Sequence, residues 1–174
     1  MTTIRPFRAE DLFETNLINL DHLTENYNVS FYFTYLASWP ELFTAAVSSD
    51  NTMMAYVMGK VEGKGTLWHG HVTAITVAPI YRRLGLAASL MHSLEEISEK
   101  FHDTYFVDLF VRTTNAVAIN MYKKLGYTIY RRVIGYYSKS DDAYDMRRAC
   151  ARDPKGLSVI PMTRPVYPHE INFD

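Results

Sequence analysis

Two arginines and a glycine directly behind an apolar strand are the residues of this chain whose types and spacing point most plainly to chemistry. The run Arg82-Arg83-Leu84-Gly85-Leu86-Ala87-Ala88 follows the strand-like Thr73-Ala74-Ile75-Thr76-Val77 and the strand-ending Pro79. From Leu86 the apolar residues Leu90, Leu94 and Ile97 recur at helical spacing. Cations at a helix start are unfavourable by about 0.3–1 kcal/mol. No Ser, Thr, Asp or Asn stands there as an N-cap, so several backbone N–H groups lack a local partner. Arginines, orphan amides and the backbone access of Gly85 together predict a pocket for a multiply charged anion, most simply a pyrophosphate. A solvated basic turn whose amides bond to water is the alternative.

The elements around this junction follow from the hydrophobic pattern. Thr2 to Phe7 predicts a short strand. Leu12, Phe13, Asn16, Leu17 and Leu20 predict a helix opened by the acids Glu10 and Asp11. Residues 21–28 are turn-like, and Phe31 to Trp39 form a second helical segment stopped by Pro40. Strands are expected over Leu42–Val47, Met53–Val61, from Leu67 to Val77, and over Thr104–Val111. The Leu86 helix ends near Lys100. A further helix is capped by Asn115, lined by Val117, Met121 and Leu125, and closed by Gly126. Tyr127–Tyr137 and Tyr144–Arg148 complete the strands. This order predicts an α/β fold, a mixed central sheet of about seven strands with helices on both faces. An anion site between a strand end and a helix start suits such a sheet. Residues 1–150 are expected to form the domain, and the Pro-containing residues 151–174 an irregular tail laid over a surface or partly disordered.

Composition narrows the function classes. With 174 residues, 48% of them hydrophobic and 21% charged, the chain has the make-up of a globular domain with a substantial core. A net charge of −1 gives no support for bulk binding to nucleic acid or an anionic membrane. The single cysteine, Cys150, excludes an internal disulfide and fits a reducing compartment, and no apolar run approaches the ~18 residues of a membrane span. The segments over residues 9–40 are more apolar than one small core needs. They suggest a partner surface, with packing against the sheet as the alternative.

Neither Gly-x-x-x-x-Gly-Lys-Ser/Thr nor Gly-x-Gly-x-x-Gly occurs, which removes the commonest nucleotide-binding motifs. Arg82-Arg83-Leu84-Gly85-Leu86-Ala87 instead resembles the Arg/Gln-x-x-Gly-x-Gly/Ala signature of the GNAT acetyltransferases, which binds the pyrophosphate of acetyl-CoA. The Asn115…Tyr122 pair and Gly126-Tyr127 strengthen the match. Leu23 to Tyr27 and Trp39-Pro40-Glu41 resemble the peptide-site segments of protein N-terminal acetyltransferases. Trp68 to Ala74, Tyr136-Tyr137-Ser138, Asp142 to Arg147 and the Ile160–Pro168 tail resemble NatB catalytic subunits in particular. The resemblance spans nearly the whole chain. It implies the GNAT fold and acetylation of nascent chains beginning Met-Asp, Met-Glu, Met-Asn or Met-Gln. It also implies acetyl-CoA as co-substrate and a large auxiliary subunit docking on residues 9–40. Through that subunit the protein would meet the ribosome in the cytoplasm, with no membrane and no direct nucleic-acid contact.

Acetyl transfer to an amine needs a neutral amine, an oriented carbonyl and a stabilised thiolate. An α-amine has a pKa near ~8, so a mild base or water relay suffices. No Cys-His or Ser-His arrangement is evident, which favours direct attack in a ternary complex over an acyl-enzyme. By the resemblance, Ile75, Thr76, Val77, Arg82, Arg83, Gly85, Leu86, Ala87, Ala88, Asn115 and Tyr122 meet the cofactor. Asn115 is otherwise only an N-cap, and Tyr122, whose hydroxyl could donate to the leaving thiolate, is otherwise a core tyrosine. Asn115, Tyr122 and His71 are the catalytic candidates. His71 either relays the amine proton or bonds the substrate's second side chain, the latter being preferred; a satisfied buried imidazole is the third reading. Glu25, Tyr27, His71, Thr73, Ala74, Phe110, Tyr136 and Tyr137 are the expected substrate-binding residues. His69 shares a strand face with His71, but no metal is expected, because no third ligand follows in the sequence. A catalytically silent acyl-CoA-binding subunit and a lysine or small-molecule acetyltransferase remain as alternatives.

Overall fold

The computed structural model describes residues 1–20 and 24–173. Seven strands form: β1 (Thr3–Pro6), β2 (Phe43–Val47), β3 (Met53–Glu62), β4 (His69–Val77), β5 (Phe106–Arg112), β6 (Thr128–Ser138) and β7 (Asp141–Ala149). They make one sheet in the order β1-β2-β3-β4-β5-β7-β6, the expected seven strands. The helices are α1 (Thr15–Ile18), α2 (Val29–Ser38), α3 (Leu86–Lys100) and α4 (Ala116–Lys124).

The chain divides into two compact units, Met1–Lys60 with Val72–Ile97 and Val61–His71 with Ser98–Asp174. In the first, aromatic side chains form much of the core. Phe7 stacks on Phe43 at 4.0 Å, Tyr32, Tyr35 and Tyr56 are buried beside them, and the Tyr56 hydroxyl donates to Asn19 Oδ1 at 2.9 Å. α3 presents Leu86, Leu90, Met91 and Leu94 as its buried face, as its periodicity predicts. In the second unit β5 and β7 run antiparallel, with Leu109 opposite Met146 and Asp108 opposite Arg147.

Four local readings change. Residues 9–20 are not one helix: Ala9–Phe13 is a 3-10 turn, and α1 is a single turn after it. Asp11 causes this. Its carboxylate accepts the Arg8 N–H at 2.8 Å and holds Arg5 through bonds of 2.7 and 2.8 Å, tightening the first turn and tying it to β1. Asn28, three residues before the expected helix start, caps α2 by accepting the Phe31 N–H at 2.8 Å. α4 buries Ile119 and Tyr122, whereas Val117 is 84% exposed, so its buried stripe is rotated from the one read in sequence. β7 begins at Asp141 rather than Tyr144, because Gly135 (φ +64°) donates its N–H to Asp142 and lets the hairpin continue to Ser138 opposite Asp141. The turn expected over residues 21–28 falls partly outside the described residues, at 21–23.

Residues 151–173 follow a defined course along β6. Val166 is buried, bridges Val133 in parallel, donates to Arg132 O at 2.9 Å and accepts from Ile134 N at 2.8 Å. Further on, Phe173 O accepts the Lys64 N–H at 3.1 Å. Backbone pairing of this kind is how a Pro-rich segment without a helix or full strand satisfies its polar groups.

Gly70 in β4 has no room for a side chain: a Cβ would stand 2.4 Å from Ser98 Oγ and 2.8 Å from Ser98 Cβ. Gly70→Ala should therefore destabilise the fold by about 1–3 kcal/mol, read as a lower urea midpoint. An unchanged midpoint would show that the contact relaxes freely.

Candidate active site

The turn expected to hold an anion lies between β4 and α3. A short 3-10 turn, Pro79–Tyr81, leads from the strand into residues 82–85, all of them exposed or half-exposed. Arg83 has φ +66° and Gly85 φ +79°, two left-handed residues separated by Leu84. For Arg83 that conformation is uncommon and strained, the kind of backbone that persists at ligand-binding turns. Gly85 needs the conformation, yet nothing lies within 4 Å of where its Cβ would be. A ligand can approach that backbone closely. Gly85 O accepts the Ser89 N–H at 3.0 Å, so α3 starts without a side-chain cap at the residues the pattern indicated. Leu86 is buried, while Ala87 and Ala88 are half-buried on the first turn.

In the same unit Tyr27 and Tyr35 converge on Thr73 of β4. The Tyr27 hydroxyl donates to Thr73 O at 3.3 Å, and the hydroxyls of Tyr35 and Thr73 lie 2.7 Å apart. Tyr27 also stacks on Phe31 at 4.4 Å. Tyr35 is absent from the residues singled out in sequence; its place at helical spacing from Phe31 marks it only as a core aromatic. Ala74, Ile75 and Val77 are half-buried, Thr76 turns into the core, and Glu25 is half-buried in the loop before α2.

The second unit gathers His71, Phe110, Tyr136 and Tyr137. His71 lies 5.8 Å from the Phe110 ring, Phe110 stacks on Tyr136 at 4.6 Å, and the Tyr137 hydroxyl donates to Phe110 O at 3.0 Å. The Arg112 guanidinium covers Tyr137 at 4.2 Å. On α4, Asn115 is the N-cap, accepting from Ala118 N at 3.2 Å. Tyr122 is buried two turns further on, 6.0 Å from Tyr127. Burial pushes the Tyr122 hydroxyl far above the ordinary tyrosine range, which keeps it a proton donor.

Behind His71 stands a residue that the sequence reading passed over. Asp108, wholly buried in β5, accepts from His71 Nδ1 at 2.6 Å. His69, also wholly buried, donates from Nδ1 to Leu67 O at 2.6 Å and turns Nε2 toward Asp108 at 3.6 Å and Glu62 at 3.8 Å. His69 Nε2 and Asp108 Oδ2 make no hydrogen bond within the described residues. Burial drives Asp108 up, but His69, His71 and Arg147 outweigh it and hold the carboxyl at about 2. The only signal in sequence is a lone acid inside the apolar run Tyr105 to Val111.

Glu62, His69 and His71 place one ligand atom each within 4.8 Å of one another. The stated reason for expecting no metal, the lack of a third ligand, is therefore corrected: Glu62 arrives from the end of β3, before the two histidines rather than after them. Nδ1 of both histidines is already engaged by Leu67 O and Asp108, and we treat the group as a charge network around Asp108.

The acetyltransferase (GNAT) family model matches residues 10–127. The chain is 58% identical to the N-terminal acetyltransferase B complex catalytic subunit NAA20 of Arabidopsis thaliana, over 100% of both chains. It is 45% identical to the corresponding subunit NAT3 of Saccharomyces cerevisiae, over 99% of this chain and 100% of that one. A crystal structure of Chaetomium thermophilum Naa20 in complex with a bisubstrate analogue superposes with a TM-score of 0.90 at 41% identity, covering 96% of this chain and 97% of that one. The chain belongs to the GNAT acetyltransferase family, and within it to the relatives of NatB catalytic subunits.

The Asp108 carboxyl is lower in the folded chain than its ordinary value of about 3.9, so its stabilisation is complete above that value and is lost as pH falls through about 2. Between those limits, thermal unfolding of Asp108→Asn should lose Tm less steeply than the parent chain. Parallel curves would mean that the carboxylate contributes nothing there.

Proposed function

We propose that this chain transfers acetyl from acetyl-CoA to the α-amino group of protein N-termini that begin Met-Asp, Met-Glu, Met-Asn or Met-Gln. Coarsely it is an N-terminal acetyltransferase; the choice of second residue is the finer proposal. The observation that carries the reading is the turn 82–85, where two left-handed residues and an uncapped helix start offer amides and guanidinium groups to a pyrophosphate. Relatives support the cofactor: one solved structure with 49% identity is described as the NatB acetyltransferase complex bound to CoA and MES.

Backbone groups of Ile75 and Val77 pair with the pantetheine arm as an added strand does. The neutral amine attacks the thioester carbonyl carbon, forming the C–N bond. The C–S bond breaks, the amine proton leaves to water, and the Tyr122 hydroxyl donates to the departing thiolate. Asn115 orients the cofactor arm near the reacting carbonyl. Glu25, Tyr27, Thr73, Ala74, Phe110, Tyr136 and Tyr137 hold the acceptor peptide, and His71 meets its second side chain.

A large auxiliary subunit docks on residues 9–40. Phe13, Leu20, Val29 and Phe33 are all exposed in that segment, which leaves apolar side chains for a partner to cover. Through that subunit the enzyme works at the ribosome in the cytoplasm. Among the described residues no helix is long and apolar enough to cross a membrane.

The test is a peptide panel assayed with acetyl-CoA, with and without the co-purified subunit: Met-Asp, Met-Leu, Ser-Glu and an internal-lysine peptide. Turnover confined to Met-Asp is expected. Turnover of lysine instead points to a lysine acetyltransferase, and tight CoA binding without turnover to a silent subunit. His71→Ala should raise KM for Met-Asp about tenfold or more with a smaller fall in kcat. Equal falls in kcat and kcat/KM would make His71 the proton relay instead.

A further inference from the structure

Asp108 takes no part in the transfer steps above, yet a buried carboxylate is costly unless it is bonded and paired. Being ionised, it can only accept, so the 2.6 Å contact places a hydrogen on Nδ1 of His71. Nε2, on the far side of the ring, then accepts in the neutral ring and donates only in the imidazolium. Other charged groups stand around the same carboxylate: His69 on β4, Arg147 opposite it on β7, and Glu62 on β3 beyond His69. Asp145 on β7 is bound by Arg131 at 2.8 Å and Arg147 at 3.3 Å. The ring of Phe110 lies beside His71.

We propose that Asp108 is the positioning residue that fixes the Nδ1 hydrogen of His71 and presents Nε2 to the acceptor's second side chain, where only the imidazolium can donate to an acid. This role rests on the acceptor reading proposed above. A substrate carboxylate carries no hydrogen and bonds only to a ring with hydrogen on Nε2. Since the Nδ1 hydrogen is committed to Asp108, that ring is doubly protonated and positive. A substrate amide offers both a carbonyl oxygen and an NH2 group, and bonds to Nε2 with or without its hydrogen. The acid therefore loses its partner when the ring loses a proton, and the amide does not.

The experiment uses the chain co-purified with its auxiliary subunit and two peptides differing only as Met-Asp and Met-Asn, assayed at about pH 6 and about pH 8.5. Deprotonation of the shared α-amine scales both rates alike and cancels in their ratio. The Met-Asp to Met-Asn ratio of kcat/KM should fall about five- to tenfold from the lower to the higher pH, through KM. In Asp108→Asn the ratio should be low and flat across that range. A wild-type ratio independent of pH overturns the proposal. So does an Asp108→Asn protein that slows both peptides equally while the ratio keeps its pH dependence. If Asp108→Asn does not fold, His71→Gln replaces it, and a pH-dependent ratio in that variant overturns the proposal. A wild-type complex that turns over neither peptide overturns the acceptor reading itself, a failure seen before any variant is compared.

Discussion

A carboxylate wholly buried in the middle of a β-strand is the constraint on which the second unit depends. Left alone, such a charge costs several kcal/mol, so the residues around it must bring hydrogen bonds and positive charge. Asp108 finds His71 at 2.6 Å, His69 at 3.6 Å and Arg147 across the β5–β7 register. Arg147 is in turn fixed by Asp145 and lies 3.6 Å over the Tyr130 ring and 4.3 Å over the Phe106 ring. Three strands, β4, β5 and β7, thus meet at one charge. His71 is the member of that group with part of its surface outside, so the network's order is expressed in the orientation of a single imidazole.

The first unit answers a different requirement. An anion turn must leave its amides open, and backbone that does not cap itself needs support elsewhere. The support is hydrophobic: Leu86, Leu90, Met91 and Leu94 anchor α3, whose first turn then needs no side-chain cap. Left-handed Arg83 and Gly85 bend the chain between the strand and that anchored helix. Tyr27 and Tyr35 hold the strand from the loop and helix α2, one through a backbone carbonyl and one through the Thr73 hydroxyl. A peptide entering beside this strand would meet positions already fixed by hydrogen bonds.

Much of the fold was legible in the sequence. Seven strands, the long helix from Leu86 and its buried face follow from local periodicity, which is a property of consecutive residues. The turn before α3 was legible for the same reason, since Arg82, Arg83 and Gly85 are neighbours in the chain. The 3-10 turn at residues 9–13, the rotated face of α4 and the early start of β7 were not. Each depends on a side chain or backbone group outside the window being read: Arg5 with Asp11, the surroundings of Ile119 and Tyr122, and Gly135 with Asp142.

The sequence by itself determined the class of fold and the place of the turn between β4 and α3, because alternation, helical spacing and an uncapped start are written within short windows. Only the tertiary structure decided what stands behind His71. Asp108 and Tyr35 sit in a strand and a helix as ordinary members of apolar runs, Glu62 closes a strand before a polar turn, and nothing in their local spacing sets them apart. Their roles arise from pairing across the sheet and packing onto it, which bring residues 37 positions apart, as in His71 and Asp108, to hydrogen-bonding distance. The turn at residues 82–88 was thus singled out by spacing and His71 by resemblance, while the charge that orients the histidine came from long-range pairing alone.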